Sequence, residues 1–512
     1  MGGSLQSRRP LGLSSLALAY FYLAGPLLII WELFRPEVSF PLLLLFMAWV
    51  FPLTRSVATN QVACPAASSH FVSMLALLGL CVAWVYLSGI GGYAACRWDY
   101  AKHNLVFSFL LNQKLPIETN FEGRDFIFHY SLAYYITPVR VKQLFQVLLG
   151  RASLDLILLV TYSAVLFVAV RVLGGIAGVS ALILFFVFSL VAGWDVLGMT
   201  AFGVKPDIVA RLPVLGIGIP QNIEWWGVPG APQSPTMNLY YAPQHFFAAL
   251  VGSALVIAFM QSSRPATLAL TDISVTVAAS AFWSAYVAVG LFVLALLKLI
   301  IGRAALLRWR EGWLAPLLAP WGLFAAAFAI ALAIAAWVFV TAAVPLSPPR
   351  LLVNESNTLS WLLTYVLNYA PCIVALMLAC WPHAWKTHAN RDLRAIRSSL
   401  LLCLAASAAL LLLTHGTFND WAMRTTLPLW IVLAIALAYV VSAGLKWFYL
   451  TVFLLVLVLS SAGSLAELAI GVVAPPNCAP YGAFSLKDMG PLAFQYQGRR
   501  ESILYRYLVR PQ

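Results

Sequence analysis

Apolar runs of about 20 residues, separated by short polar breaks, recur along the whole chain. A helix needs about 20 such residues to cross a ~30 Å hydrocarbon core. On that rule spans fall near 15–34, 39–53, 70–90, 152–172, 176–194, 241–260, 267–281, 284–301, 314–342, 359–381, 398–414, 425–441 and 446–463, about thirteen in all. The expected fold is an all-α, polytopic transmembrane bundle forming one domain over residues 1–512. The pair 267–281 and 284–301 is short, and Phe282-Trp283-Ser284 reads equally as a bend in a re-entrant segment. Three stretches are too long for connectors, 91–150, 195–240 and 464–512, and loops of that length usually carry function or are disordered. The first mixes charge and aromatics with few Gly or Pro, which predicts helices lying on the membrane surface. The second is rich in Gly, Pro and Trp and is expected to be irregular, held by aromatic packing.

Composition agrees with a bilayer as solvent. Of 512 residues, 62% are hydrophobic and 10% charged, against about 25% charged in soluble domains, so no water-exposed surface can be built from them. The net charge of +13 would suit a polyanion, yet most bases stand singly in short connections. Placing Arg8-Arg9 in the cytoplasm puts Arg55, Arg171, Arg264, Arg303, Arg308, Arg310, Lys386, Arg391, Arg394, Arg397 and Lys446 on the same side. The bases therefore report topology, the partners are membrane lipids, and nucleic acid is excluded. Of the 18 acids, only Asp272, Glu311 and Asp392 fall on that side, so any chemistry is expected on the extracytoplasmic face. The apolar run after Arg8-Arg9 has no small-residue cleavage site and reads as an uncleaved span. The seven cysteines show no CxxC and no zinc spacing; Cys96 and Cys478 both fall outside, where a disulfide between first loop and tail is open. Asn354-Glu355-Ser356 is a formal glycosylation acceptor. The basic, aromatic tail after Cys478 is expected to pack near anionic headgroups.

Chemistry concentrates after the third span, at Arg97-Trp98-Asp99-Tyr100-Ala101-Lys102-His103-Asn104. In a helix starting here Asp99, Lys102 and His103 stand at i, i+3 and i+4 and share a face, while Leu105, Val106, Phe109 and Leu110 form an apolar face suited to the bilayer interface. Asp99 is then either a general base or metal ligand, or a helix cap with Lys102 and His103 meeting headgroups. A second segment, Asn238 to Phe247, enters a span with Gln244 and His245 at its start. Tyr240, Tyr241, Trp225 and Trp226 there could make a platform for sugar rings, with Asn238 and Gln244 bonding hydroxyls; an ordinary aromatic belt is the alternative.

The string Trp98-Asp99-Tyr100-Ala101-Lys102-His103-Asn104, then Leu115-Pro116 and Phe128-His129-Tyr130-Ser131-Leu132-Ala133-Tyr134-Tyr135, resembles the first extracytoplasmic loop of GT-C membrane glycosyltransferases. It is closest to a bacterial group with WDYxKHN early and NDxxMRxxxP late. The late motif stands at Asn419-Asp420-Trp421-Ala422-Met423-Arg424-Thr425-Thr426-Leu427-Pro428. The resemblance implies a polyprenyl-phosphate sugar donor, a glycan, lipid or protein acceptor, and an active site on the outer face of a bacterial cytoplasmic membrane. It makes Asp99 the catalytic base, with Lys102, His103 and Arg424 toward the donor phosphate; pairing with Asp420 as a simple anchor is the alternative for Arg424. Many members carry paired acids, whereas here Tyr100 follows Asp99, so Glu122 or Asp125 is the nearest second carboxylate and a divalent metal ion remains open as the cofactor. Four histidines, 103, 129, 245 and 415, fall outside, none paired at metal-ligand spacing. The competing classes are a transporter or flippase and a non-catalytic envelope assembly subunit.

Overall fold

The computed structural model describes residues 12–58, 71–205, 207–211, 218–221, 223–224, 233–262, 264–301, 319–343, 350–351, 358–385, 390–415, 420–483 and 485–510. Trp225, Trp226 and the Asn354 acceptor lie outside them. The first half runs α1 (Leu13–Leu33), α2 (Pro36–Ala58), α3 (Phe71–Leu87), α4 (Tyr100–Asn112), β1 (Glu118–Phe121), β2 (Arg124–Phe128), α5 (Ala133–Leu149), α6 (Leu154–Ala177), α7 (Ala181–Leu190), α8 (Asp195–Phe202), β3 (Asp207–Arg211), β4 (Gly218–Gln221), α9 (Pro235–Tyr241) and α10 (Pro243–Gln261). The second runs α11 (Ala266–Trp283), α12 (Ala285–Ile301), α13 (Pro320–Thr341), β5 (Arg350–Leu351), α14 (Thr358–Asn368), α15 (Ala370–Cys380), α16 (Asn390–Leu410), β6 (Leu413–Thr414), α17 (Asp420–Thr425), α18 (Leu427–Ser442), α19 (Trp447–Leu459), α20 (Ala462–Val473) and β7 (Gln497–Gly498).

The molecule is an integral, multi-pass helical membrane protein. Among the described residues eight helices are long and apolar enough to cross a membrane, or ten if the bent pairs α14–α15 (68°) and α19–α20 (52°) each count as one span. Three shorter apolar helices, Phe71–Leu87, Ala285–Ile300 and Leu427–Ser442, stand where further spans were expected. The count of thirteen is thus not reached by helix length, and the expected span 446–463 continues past a break through Val473, so the tail begins later than 464. Between α11 and α12 a single extended residue, Ser284 (φ −170°), interrupts the helix.

Position in the bundle follows from side-chain distribution. Helix α10 is apolar on every side, which suits a helix enclosed by others, and its residues from Pro243 to Phe259 are all buried against α1, α6, α11, α12 and α18. Helices α2, α13 and α19 instead present Phe40, Leu44, Met47, Ile330, Trp337, Leu455 and Val458 outward, as lipid-facing surfaces do. Local signals set the ends: Ser153 caps α6 by accepting from the Leu156 amide at 3.3 Å, and Gly178 ends it in the left-handed region.

The loop 91–150 is not purely helical. Helices α4 and α5 flank a β1–β2 hairpin turned at Glu122 (φ 51°) and Gly123 (φ 75°). The face Leu105, Val106 and Leu110 is buried in the protein core, not at a bilayer interface, because α5 and the tail cover it. The 195–240 loop also carries more regular structure than its composition suggested: α8, the β3–β4 hairpin and α9. The tail is stitched down. Strand β7 pairs with β2 (Ile127↔Gly498, Phe128↔Gln497), Val509 bridges Phe34, and Cys96 is disulfide-bonded to Cys478. Three of its four arginines bond the rest of the protein: Arg499 donates to the Thr341 carbonyl (2.6 Å), Arg510 to the Phe34 carbonyl (2.8 Å), and Arg500 pairs with Glu118 (3.2 Å), while Arg506 is exposed beside the Tyr507 ring. Intact mass of the purified protein should rise on reduction by the two hydrogens of this bond, and a Cys478→Ser variant should show no such rise.

Candidate functional site

Asp99 precedes α4 in a helical conformation (φ −63°, ψ −21°) and makes no side-chain cap. The capping reading therefore fails: its carboxylate, 5% exposed, is turned into the protein, where Lys102 Nζ lies 2.6 Å from Oδ1. Lys102 also lies over the Trp98 ring, 5.1 Å from its centre. Burial pushes the Asp99 carboxyl above its ordinary pKa; Lys102 and Arg424 pull it back, and Asp420 adds to the rise. For Lys102, burial opposes the charge, but Asp99, Tyr130 and Asp420 outweigh it and hold the ammonium above its usual value. The early and late motifs thus lie within charge reach of each other, Asp99 and Arg424 buried, Lys102 and Asp420 21% and 20% exposed at their side chains. A Lys102→Gln variant removes the nearest cation, so Asp99 should hold its proton to higher pH. The acid limb of any Asp99-dependent rate should then move to higher pH, and a pH–rate profile checks it.

Arg424 rises from the short helix α17 and is 6% exposed. Its Nη1 donates to Gln233 Oε1 at 2.9 Å and to Asn238 Oδ1, while Asp420 is a looser partner at 3.7 Å from Nε. The anchor reading is therefore only part of its environment. Asn238 in turn donates to the Gln233 and Ser234 carbonyls, 3.1 Å each. Both ends of its amide are thus engaged within the protein, Oδ1 with Arg424 and Nδ2 with the backbone, rather than free for substrate hydroxyls.

His103 does not face a phosphate. Its Nδ1 is 2.6 Å from the Tyr135 hydroxyl and its Nε2 3.1 Å from the Tyr241 carbonyl. A carbonyl only accepts, so Nε2 carries the proton and Nδ1 accepts from Tyr135. Burial, then the Lys102 and Arg424 charges, lowers its pKa to about 3, so the ring is neutral and fully engaged. Tyr241 is 1% exposed and its hydroxyl reaches Glu467 (3.4 Å), while Tyr240 lies under the Arg97 guanidinium at 5.1 Å. These two tyrosines form buried walls instead of the expected open sugar platform. Gln244, 1% exposed, donates to the Tyr130 hydroxyl at 2.9 Å and leaves its own Oε1 without a hydrogen bond. His245 contacts Ser284 Oγ at 2.7 Å, using the residue that breaks α11 from α12. Glu122 and Asp125 are exposed at the hairpin, Asp125 accepting from Asn120 at 2.8 Å, whereas Asp420 is the acid whose charge bears on Asp99. Trp226 lies outside the described residues.

Several residues join the site that sequence reasoning missed. Tyr496, from the tail, stands with its ring 4.4 Å from that of Tyr130, within charge reach of Asp99 and Asp420. Arg97, two residues before Asp99, is paired with Glu467 of α20 (Nε–Oε2 2.8 Å) and donates to its carbonyl (2.7 Å), both side chains 2% exposed. Beyond Glu467 sits Glu224, which accepts from the Ser234 amide (2.6 Å) and hydroxyl; burial and Asp195 push its carboxyl well above the ordinary range. A lone acid inside the apolar run 446–473 was the available signal for Glu467. Among the described residues no three of His, Cys, Asp and Glu gather as a metal-holding group.

No family model, curated protein or solved structure matches this chain. The functional reading therefore stands on the residues themselves and on their geometry.

Proposed function

We propose that the protein is an inverting GT-C-type glycosyltransferase that moves a sugar from a polyprenyl-phosphate donor to an acceptor hydroxyl on the extracytoplasmic side. One observation supports this reading: buried Asp99 and Arg424, 325 residues apart in sequence, lie within charge reach of each other and pair with the partly exposed Lys102 and Asp420. That pairing of a carboxylate with two cations matches what the transfer needs. In the step, the acceptor hydroxyl attacks the anomeric carbon and its proton passes to Asp99. The bond from that carbon to the phosphate oxygen breaks, and the electron pair leaves with the lipid phosphate. Arg424 and Lys102 offset the charge that develops there. Guanidinium suits a phosphate by its paired donors, and Gln233 and Asn238 hold Arg424 in place before donor arrives. The Asp99 carboxyl, raised by burial, is a stronger base once ionised than a solvated aspartate. Thermal stabilisation of the purified protein by a short synthetic polyprenyl-phosphate sugar tests the donor part. It should survive Asp99→Asn and be lost in Arg424→Leu; retention in Arg424→Leu would remove the arginine from donor binding.

The transporter reading draws on the two broken helix pairs, one of which carries the buried Glu467, since broken helices with intramembrane charge are a transporter device. Against it, Asp272 is neutralised by Arg264 (2.9 Å) and by the Trp49 indole (2.9 Å), and Glu467 by Arg97. Movement of donor lipid across liposomes without bond formation would favour the transporter. An assembly subunit would show neither activity.

A further inference from the structure

Helix α4 has a second functional face. Tyr100, His103, Asn104 and Phe107 follow at i, i+3, i+4 and i+7, so at about 100° per residue they point to one side, roughly 90° around the helix from Asp99. Part of this face packs on α5, where the Phe107 ring lies 5.0 Å from that of Tyr135 and His103 bonds the Tyr135 hydroxyl. The four residues also line a partly open cavity of about 320 Å³, closed by the Gly89–Gly92 turn, Tyr134, Asp155 and Leu158, and the tail segment from Cys478 to Tyr481. That is the lower end of the ~300–1,000 Å³ range of small-molecule pockets, enough for one ring and too little for an oligomer. No described residue of the outer loop 195–240 lines it.

The chemistry of the lining narrows the occupant. Among the described residues no Lys or Arg lines it, so no cationic side chain there recognises a phosphate or carboxylate. Four aromatic rings, Tyr100, Phe107, Tyr134 and Tyr481, offer apolar faces. Between them stand the Asn104 amide, the Asp155 carboxylate and the backbone of three glycines of one turn, Gly89, Gly91 and Gly92, all at positive φ. At Gly91 a side chain would lie 2.6 Å from the Asp155 carbonyl, so the bare backbone is required for the turn to approach α6. Asn104 donates to the Ala479 carbonyl (2.6 Å) and the Tyr481 hydroxyl bonds Asp155, so the polar lining is already oriented by the protein. Aromatic faces interleaved with amide, carboxylate and carbonyl groups, without net positive charge, fit a neutral polyhydroxylated ring.

We infer that this cavity binds a single uncharged sugar ring, the non-reacting neighbour of the acceptor residue, which deepens and rests on the glycosyltransferase reading. His103 is the partition: it lines the cavity while standing one turn from Asp99, its backbone amide bonded to the Asp99 carbonyl at 3.3 Å. The cavity and the Asp99 carboxylate thus flank the same turn of α4, without Asp99 itself lining the cavity. The disulfide Cys96–Cys478 keeps the tail wall in register with the loop wall.

The test uses detergent-purified full-length protein and saturation-transfer NMR with free glucose, galactose, mannose and N-acetylglucosamine, one at a time. At least one should give a signal that a polyol without a ring, such as sorbitol, does not give. Leu158→Trp, which fills the space, and Asn104→Leu, which removes a polar wall group, should each cut that signal at least five-fold. Unchanged melting temperature and an intact disulfide by mass show that each variant is folded, and if one fails this check the other decides. Asp99→Asn should keep sugar binding. No signal from any of the four sugars, or a signal untouched by the folded variants, overturns the inference. If binding behaves as stated while no sugar is ever transferred, the pocket stands and the enzyme reading falls. If transfer occurs and the filled variant keeps full acceptor affinity, the pocket falls and the enzyme reading stands.

Discussion

Replacing Asp99 by Asn should lower sugar transfer by about 10²- to 10⁴-fold, the usual worth of a positioned general base, with little change in melting temperature. The reason is local. The carboxylate makes no cap for α4, so its loss does not unwind the helix, and an amide of the same shape still fits the pocket between Lys102 and the Arg424–Asp420 pair. What is lost is proton acceptance. The turnover number should fall while the apparent affinity for donor changes little, because Arg424 keeps its contacts with Gln233 and Asn238. Steady-state kinetics on membranes matched for protein content measure this. A variant that keeps more than half of wild-type turnover would take Asp99 out of the mechanism.

The largest stability effect is expected at Arg97. Both it and Glu467 are 2% exposed at their side chains and are joined at 2.8 Å. Arg97→Met leaves a carboxylate buried without its cation, and breaking such a pair by removing one partner costs about 3–5 kcal/mol. The pair also ties the residues before α4 to α20, so the loss should reach the site as well as the fold. Changing both partners, Arg97→Met with Glu467→Leu, should recover much of the stability, because the charge that needed a partner is gone. Thermal unfolding in one detergent across the three variants checks the order: wild type and double variant high, Arg97→Met low. A single variant that melts with the wild type would show that the pair contributes nothing.

Much of the architecture was legible because the bilayer imposes one rule on every span. Eight to ten of the apolar runs are helices long enough to cross a membrane, and Asp99 and Arg424 lie within charge reach of each other. What stayed hidden was geometry set by contacts distant in sequence. Glu122 and Asp125 were attractive as second carboxylates because they are near Asp99 along the chain, yet the turn at Glu122 and Gly123 aims them at solvent. The acid that does lie within charge reach, Asp420, is more than 300 residues away. His103 looked available for phosphate because its partners, Tyr135 and the Tyr241 carbonyl, could not be read from spacing. Tyr496 could not be read at all, since a tail behind the last apolar run gives no sign that a strand will pair with β2 and carry it into the site.

Supplying purified wild-type protein with a synthetic polyprenyl-phosphate sugar and an extract of native envelope acceptors tests the central claim most directly. The account predicts release of free polyprenyl phosphate in step with sugar appearing covalently on an acceptor with inverted anomeric configuration, both abolished by Asp99→Asn. Intact donor after prolonged incubation, while the same preparation moves that donor across liposome membranes, would contradict it.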